Sequence, residues 1–160
     1  MSKVLLAYYT RTGYTGSIAK QIAESENWEI DEIVDMHKRP GAWGFIRSLF
    51  DVIIGRYPAI YKERLDPSQY DLVVVGASVW MRRLCSPVRT YLKRHRKQLP
   101  NIAFFCTYGG WGAENAIRQF ASLAGRSPVA TLAITDNEIE KQAFWPKLDA
   151  FTKQIHQIID

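Results

Sequence analysis

The sequence predicts a three-layer α/β sandwich, a five-stranded parallel sheet with helices on both faces. Strand-sized apolar runs alternate with helical periodicities along the whole chain, which is the pattern of βα units. The clearest runs are apolar at every position, as in strands covered on both sides. No internal repeat or low-complexity stretch breaks the alternation. With 160 residues and 47% hydrophobic composition, the chain reads as a single domain over residues 1–160 with enough apolar material for a sizeable core.

Residues 4–9 are too short and too continuously apolar for a surface helix and form the first strand. Ile18, Ala19, Ile22 and Ala23 follow at helical spacing, in a helix ending near Glu24. Residues 28–34 alternate weakly and suit a second strand at or near a sheet edge. A polar stretch ends in a Pro40-Gly41 turn, after which Trp43, Ile46, Leu49, Phe50 and Ile53 mark a second helix. Its wide apolar face, extended by Phe45 and Ile54, is expected to pack on the sheet, with Arg47 and Asp51 towards solvent. The competing reading is a docking helix for a membrane or a partner. Residues 55–69 carry Tyr57, Pro58, Tyr61, Lys62, Arg64 and Pro67, a loop aromatic enough to be expected beside a ligand.

Residues 70–77, with Leu72-Val73-Val74-Val75, give the third strand. Ser86-Pro87 predicts a helix start with a capping hydroxyl and proline at the first position. Val88, Tyr91, Leu92, His95 and Leu99 form its inner stripe, leaving Arg89, Lys93, Arg94, Arg96 and Lys97 outward as a solvated face. Residues 101–107 form the fourth strand. A glycine-rich break leads to a helix through Ala113, Ala116, Ile117, Phe120 and Ala124, stopped by Gly125. Residues 129–135 are the fifth strand. A final helical region opens at Asp136-Asn137, restarts at Pro146 and reaches Ile159.

Several function classes drop out on composition. The longest apolar runs are strand-sized and the N-terminus lacks a basic region followed by an apolar core, so neither a transmembrane segment nor a signal peptide is expected and the cytoplasm is the expected location. Cys85 and Cys106 lack Cys-x-x-Cys spacing, and His37, His95 and His156 lie in different elements, so no metal site is expected. His95, on an inner helix face, reads as a satisfied core histidine. Gly76-Ala77-Ser78-Val79-Trp80 lacks the closing glycine of a nucleophile elbow, and no catalytic residue is assigned. The net charge of +5 and pI near 9.3 suit an acidic partner or an anionic surface. Nucleic acid is disfavoured because the basic helix lacks interleaved exposed aromatics.

The chemistry concentrates in Thr10-Arg11-Thr12-Gly13-Tyr14-Thr15, between the first strand and first helix. Hydroxyls, backbone N–H groups and glycine freedom at a helix start make an anion site. Neither Gly-x-x-x-x-Gly-Lys-Ser/Thr nor Gly-x-Gly-x-x-Gly occurs there, so hydroxyls replace those glycine-rich cradles. Leu6, Tyr8, Thr10, Gly13, Thr15, Ala19 and Ile22 fall on successive positions of the flavodoxin signature, with Ala7 departing where a bulkier residue is usual. The resemblance covers essentially the whole chain. It implies a short-chain flavodoxin-like fold with strand order 2-1-3-4-5, which alternation alone leaves ambiguous. It also implies FMN, its phosphate held by Thr10, Thr12 and Thr15 and by backbone amides.

In such a sheet, ligands bind beyond the carboxyl ends of the first, third and fourth strands. A flavin ring needs aromatic faces and backbone donors, and the two later loops offer both. Ser78, Val79, Trp80, Met81 and Arg82 form one, with Trp80 the stacking candidate. Thr107, Tyr108, Gly109, Gly110, Trp111 and Gly112 resemble the second flavin loop of the family, in which an aromatic covers the ring and glycines let amides reach its edge. Tyr108 and Trp111 are the aromatic candidates, and Glu114 opens the next helix. The sequence departs from the family at Met81-Arg82-Arg83, where a small residue or glycine is common. The departure implies a higher-potential flavin biased towards two-electron chemistry.

The leading expectation is an FMN-binding redox protein passing electrons between a reductant and an acceptor, through an acidic partner protein or a small quinone. The alternative is an FMN-dependent reductase or oxidase acting on a quinone or tetrapyrrole, resembling menaquinone-dependent protoporphyrinogen oxidase. A flavin-free partner-binding module is the third.

Overall fold

A computed structural model describes residues 1–37 and 41–160, so the turn read at Pro40 lies outside the described residues. The elements run β1 (Val4–Tyr8), α1 (Tyr14–Glu26), β2 (Glu29–Glu32), α2 (Gly41–Ile53), β3 (Leu72–Trp80), β4 (Arg83–Leu84), α3 (Ser86–His95), β5 (Asn101–Tyr108), α4 (Ala113–Ala124), β6 (Thr131–Thr135), α5 (Asp136–Glu140) and α6 (Trp145–Ile159). The main sheet is parallel in the order β2-β1-β3-β5-β6. This is the expected 2-1-3-4-5 arrangement. The two-residue β4 is an addition, folding back antiparallel on the end of β3.

Both faces of the sheet are buried. Leu5, Ala7, Val73, Val75, Ile102 and Phe104 point into one core with Val88, Tyr91 and Leu92 of α3 and Phe120 of α4. Leu6, Val74, Phe105 and Ile134 point into the other with Ile18 and Ile22 of α1 and Leu148, Phe151 and Ile155 of α6. Alternation across a doubly covered sheet is why the strands read as unbroken apolar runs. At Gly76 a side chain is excluded, since a Cβ there would lie 2.2 Å from Cζ of Phe105. Gly125 ends α4 in the left-handed conformation and Pro146 sits in the first turn of α6, as the sequence signals require.

Three readings are corrected. Ser86 is not the cap of α3: Cys85 holds that position, Ser86 is inside the first turn, and its buried hydroxyl has no hydrogen-bond partner among the described residues. Arg89 is not solvated but only 7% exposed, with Nη2 3.4 Å from the Gly55 carbonyl and its guanidinium 5.1 Å from the Tyr57 ring centre. The chain following α2 covers this side of α3, so the basic run is not one solvated face. His95 does sit inward, with Nε2 3.0 Å from Glu63 Oε1.

The largest correction concerns α2. Its buried residues are Gly44, Ser48, Asp51 and Val52, while Trp43, Ile46, Phe50 and Ile53 are exposed. The helix is amphipathic as expected and turned the opposite way. Two features explain this. The core edge that its stripe was expected to cover is filled by Ile60, 2% exposed and packed with Ile33 and Tyr9, with Leu65 alongside. That segment is held by an antiparallel bridge between Asp35 and Ile60 and by Tyr61 N–H donating to the Val34 carbonyl at 2.9 Å. The helix itself is fixed through its carboxyl end, where Arg83 Nη1 donates to the Val52 and Ile53 carbonyls at 3.1 and 3.3 Å. A cation there satisfies free carbonyls and complements the helix dipole.

Candidate functional site

The sheet register brings three loops to one place. Tyr8 lies beside Gly76, and Ser78 beside Thr107, so β1, β3 and β5 end together and discharge their loops on the same rim. Between these loops is a cleft of about 530 Å³ lined by Arg11, Thr12, Tyr14, Ser78, Val79, Trp80, Thr107, Tyr108 and Gly109, together with Phe45 and Asp136. Its size is within the range of small-molecule sites.

The first loop leads into a helix start with no side-chain cap. Gly13 is the N-cap of α1 at φ 103°. Thr10 Oγ1 instead accepts from the Gly13 N–H at 3.0 Å, tightening the loop just before the helix. Helices α3, α4 and α6 likewise start without a side-chain cap, whereas α5 carries a full capping box between Thr135 and Glu138. An uncapped helix start with left-handed glycine leaves N–H groups for an external anion. Thr12 is exposed on the cleft, whereas Thr15 is 1% exposed. The Thr15 hydroxyl is 2.9 Å from Ser78 Oγ and 2.7 Å from Thr107 Oγ1, stapling α1 to the ends of β3 and β5.

Trp80 meets Tyr9 edge-on at a centroid distance of 5.8 Å and an interplanar angle of 78°, which fixes the indole against the core. Beyond it, Met81 and Arg82 make the two-residue turn into β4, both left-handed at φ 49° and 62°. Hairpin turns of this kind usually employ Asn or Gly, and each other residue held there costs about 1–2 kcal/mol. Helix α4 maintains the strained turn: Asn115 Nδ2 donates to the Arg82 carbonyl at 2.8 Å, and the Leu84 N–H donates to Gln119 Oε1 at 2.7 Å. The turn also abuts the glycine loop. A Cβ on Gly112, itself at φ 90°, would lie 2.6 Å from the Arg82 Cα.

The remaining predicted residues separate. Arg82, Gly110, Trp111, Gly112 and Glu114 line an adjoining hollow of about 260 Å³ that shares Tyr108 with the cleft. There the Arg82 guanidinium stands 5.7 Å from the exposed Trp111 ring. Gly110, at φ 125°, has open space where a Cβ would be, so a ligand can approach its backbone closely. Met81 is half exposed outside both hollows. The loop expected beside a ligand is elsewhere: Tyr57 lies 4.4 Å from Lys93 Nζ and 5.1 Å from the Arg89 guanidinium, and neither it nor Tyr61 lines the cleft.

Two cleft residues were missed from the sequence. Phe45 reaches the rim from α2, with the Arg11 guanidinium 5.3 Å from its ring centre. Asp136 opens α5 directly after β6, and its place at a strand's carboxyl end was the available signal. Burial, reinforced by the charge of Glu140, raises its carboxyl above the usual aspartate value. Tyr14 donates to Glu140 Oε1 at 2.7 Å, and that bond raises its phenol. Another hollow, of about 420 Å³, lies at the amino ends of the strands. Glu26, Glu29 and Asp160 border it together with Lys3 and His156.

Residues 3–132 match the family model described as flavodoxin. Among solved structures, a flavoprotein in complex with FMN from Lactobacillus acidophilus NCFM shares 25% identity, with 89% of this chain and 99% of that one covered at a TM-score of 0.72. The apo-form of the flavoprotein from Lactobacillus acidophilus NCFM is similar over 88% of this chain and 97% of its own, at 26% identity and a TM-score of 0.65. An oxidised flavodoxin from Bacillus cereus shares the fold at 18% identity, with 97% and 98% coverage and a TM-score of 0.53. No curated protein matches.

Proposed function

The chain belongs to the flavodoxin family, and from that premise we propose that it binds FMN noncovalently at the carboxyl ends of β1, β3 and β5 and passes electrons between a reductant and an acceptor. The carrying observation is the uncapped start of α1 opening onto a cleft walled by Trp80 and Tyr108. The donor set fits the group. Thr12 and the backbone N–H groups at Gly13 and after it would hold the phosphate, with the Arg11 charge nearby. Trp80 and Tyr108 offer aromatic faces, and the Gly109 and Gly110 backbone is free to meet a polar ring edge. Bound FMN supplies reversible uptake of electrons. This chain's residues orient it, exclude water from one side, and set the charge around it.

Around that site Arg11, Arg82 and Arg118 stand against Asp136, whose carboxyl burial raises above the usual aspartate value, and Glu114. This balance favours a reduced ring carrying negative charge and supports a comparatively high reduction potential. The turn after Trp80 is clamped by Asn115 and Gly112, which supports two-electron transfer over chemistry needing a backbone rearrangement there. A second reading, an FMN-dependent reductase of quinones, draws support from Phe45, an apolar side chain on the cleft rim.

The test is an FMN titration of the purified protein, followed by visible absorption and quenching of flavin fluorescence, beside Thr12→Ala and Trp80→Ala. Stoichiometric binding that weakens about tenfold or more in both variants is expected from loss of a charge-assisted hydrogen bond and a stacking face. Absence of binding by the wild-type protein refutes the assignment. Steady-state quinone turnover with a nicotinamide reductant and no added partner then selects the reductase reading over the carrier.

A further inference from the structure

We propose that α2 is a membrane-surface anchor, its outward stripe seated in the headgroup boundary of an anionic bilayer. Trp43 is 79% exposed, and Ile46, Phe50 and Ile53 are each more than half exposed. At positions i, i+3, i+7 and i+10 they form one continuous ridge opposite the buried Gly44, Ser48 and Asp51. The ridge is not a helix awaiting the sheet, because Ile60 already fills that place and Arg83 holds the helix by its carbonyls.

Charge selects the occupant. Among the described residues between Met36 and Arg64 the cations are Arg47, Arg56, Lys62 and Arg64, the last paired with Asp31 at 3.0 Å, against two acids, Asp51 and Glu63. Both acids are turned inward onto cations: the Asp51 side chain, 0% exposed, lies 3.7 Å from Arg56 Nη1, whose own side chain stays 53% exposed, and Glu63, 9% exposed, pairs with Arg94 at 2.8 Å. Two ridge-side aromatics stand beside guanidinium groups, Phe45 with Arg11 at 5.3 Å and Phe50 with Arg56 at 5.9 Å. A second copy docked ridge to ridge would bring Arg47 and Arg56 against their equivalents with no exposed acid from this segment to pair them. An acidic protein would satisfy the arginines, but the ridge is convex and offers one polar hydrogen, on the Trp43 indole, where protein interfaces carry regular hydrogen bonds. Apolar side chains between basic ones, with tryptophan at the end, match the boundary of an anionic bilayer. Phe45 of the same helix lines the cleft. Seating would therefore present the cleft to an apolar acceptor dissolved in the bilayer, a consequence that rests on the proposed redox function.

The test is flotation of the full chain, saturated with FMN, with vesicles of phosphatidylcholine alone or with about one-third phosphatidylglycerol. Wild type should float with the anionic vesicles, release as salt rises, and bind neutral ones at least about tenfold more weakly, since each basic group near an anionic surface is worth several-fold in affinity. Ile46→Ser/Phe50→Ser/Ile53→Ser should lower anionic binding about 100-fold, and Arg47→Gln/Arg56→Gln should abolish most of the preference for anionic lipid. Far-UV circular dichroism and a urea midpoint matching wild type show that both variants fold. The vesicle readout needs no flavin, so failure of flavin binding leaves it intact. Indifference of wild type to anionic vesicles, or equal flotation of the triple variant, overturns the anchor. A wild-type dimer that ignores vesicles and becomes monomeric in the triple variant overturns it in favour of a second copy.

Discussion

The hydroxyl of Thr15 separates a structural role from a ligand role at the first loop. It lies 2.9 Å from Ser78 Oγ and 2.7 Å from Thr107 Oγ1 in a residue 1% exposed. Thr15→Val keeps the side-chain shape and removes both hydrogen bonds. Each contributes about 1 kcal/mol net, and the Thr107 hydroxyl, 4% exposed, is left without that partner, so the loss should be about 2–3 kcal/mol. In a domain of this size that is a fall in Tm of roughly 4–12 °C. The assay is thermal and urea unfolding of the flavin-free protein, with FMN affinity measured separately. Because the staple sets the spacing of all three loops, a moderate loss of affinity, about tenfold, should accompany the lost stability. Unchanged stability of the flavin-free variant with a loss of affinity above a hundredfold would refute the reasoning, since it would place the hydroxyl on the ligand and not between the strands.

Three further outcomes are expected. Gly112→Ala puts a Cβ 2.6 Å from the Arg82 Cα at φ 90°, so the loops after β3 and β5 must part; FMN affinity should fall at least about tenfold, measured by flavin fluorescence, with α4 intact by circular dichroism. Burial opposes ionisation of Glu63, but hydrogen bonds from its own amide and from His95, and the Arg94 charge, hold its carboxyl below the ordinary value. Between the folded and the higher unfolded value the unfolded chain binds more protons, so this contribution is full above the window and lost as pH falls through the folded value. Glu63→Gln should flatten the acid limb of a stability–pH profile there. Ile60→Ala should cost about 2–5 kcal/mol and Phe50→Ala within about 0.5 kcal/mol in urea unfolding, because Ile60 is 2% and Phe50 54% exposed.

Most of the sheet was legible because burial on both faces writes itself as an unbroken apolar run, as in Leu72-Val73-Val74-Val75. The loop at residues 10–15 was legible as a junction because hydroxyl residues and glycine cluster where the apolar run ends and helical spacing begins, and its position between strand and helix fixes the end of the sheet at which it lies. Side-chain direction within that loop was not legible. Thr12 and Thr15 are the same residue type three positions apart, and only the register of β3 with β5 turns one towards the cleft and the other under Ser78 and Thr107. The two-residue β4 left no pattern, since a strand so short has no period and its turn uses Met81 and Arg82 in place of the Asn or Gly that signal a hairpin.

The second helix shows why periodicity and orientation are separate inferences. A 3.6-residue pattern fixes which residues share a face, and here it grouped Trp43, Ile46, Leu49, Phe50 and Ile53, of which all but the half-buried Leu49 are exposed. Which way that face points depends on what else competes for the core. A later segment, too short and irregular to carry a period, supplies Ile60 to the core edge, and two arginines from the β4–α3 region reach the α2 carboxyl end and the turn beyond it. These arginines bind carbonyls, which every sequence possesses, so nothing in α2 itself announces them. The helix is consequently held by backbone acceptors and a small polar face, Gly44, Ser48 and Asp51, freeing its apolar ridge. The charges that read as a solvated face along α3 are partly the means of that inversion. Arg89 is buried because it is one of them.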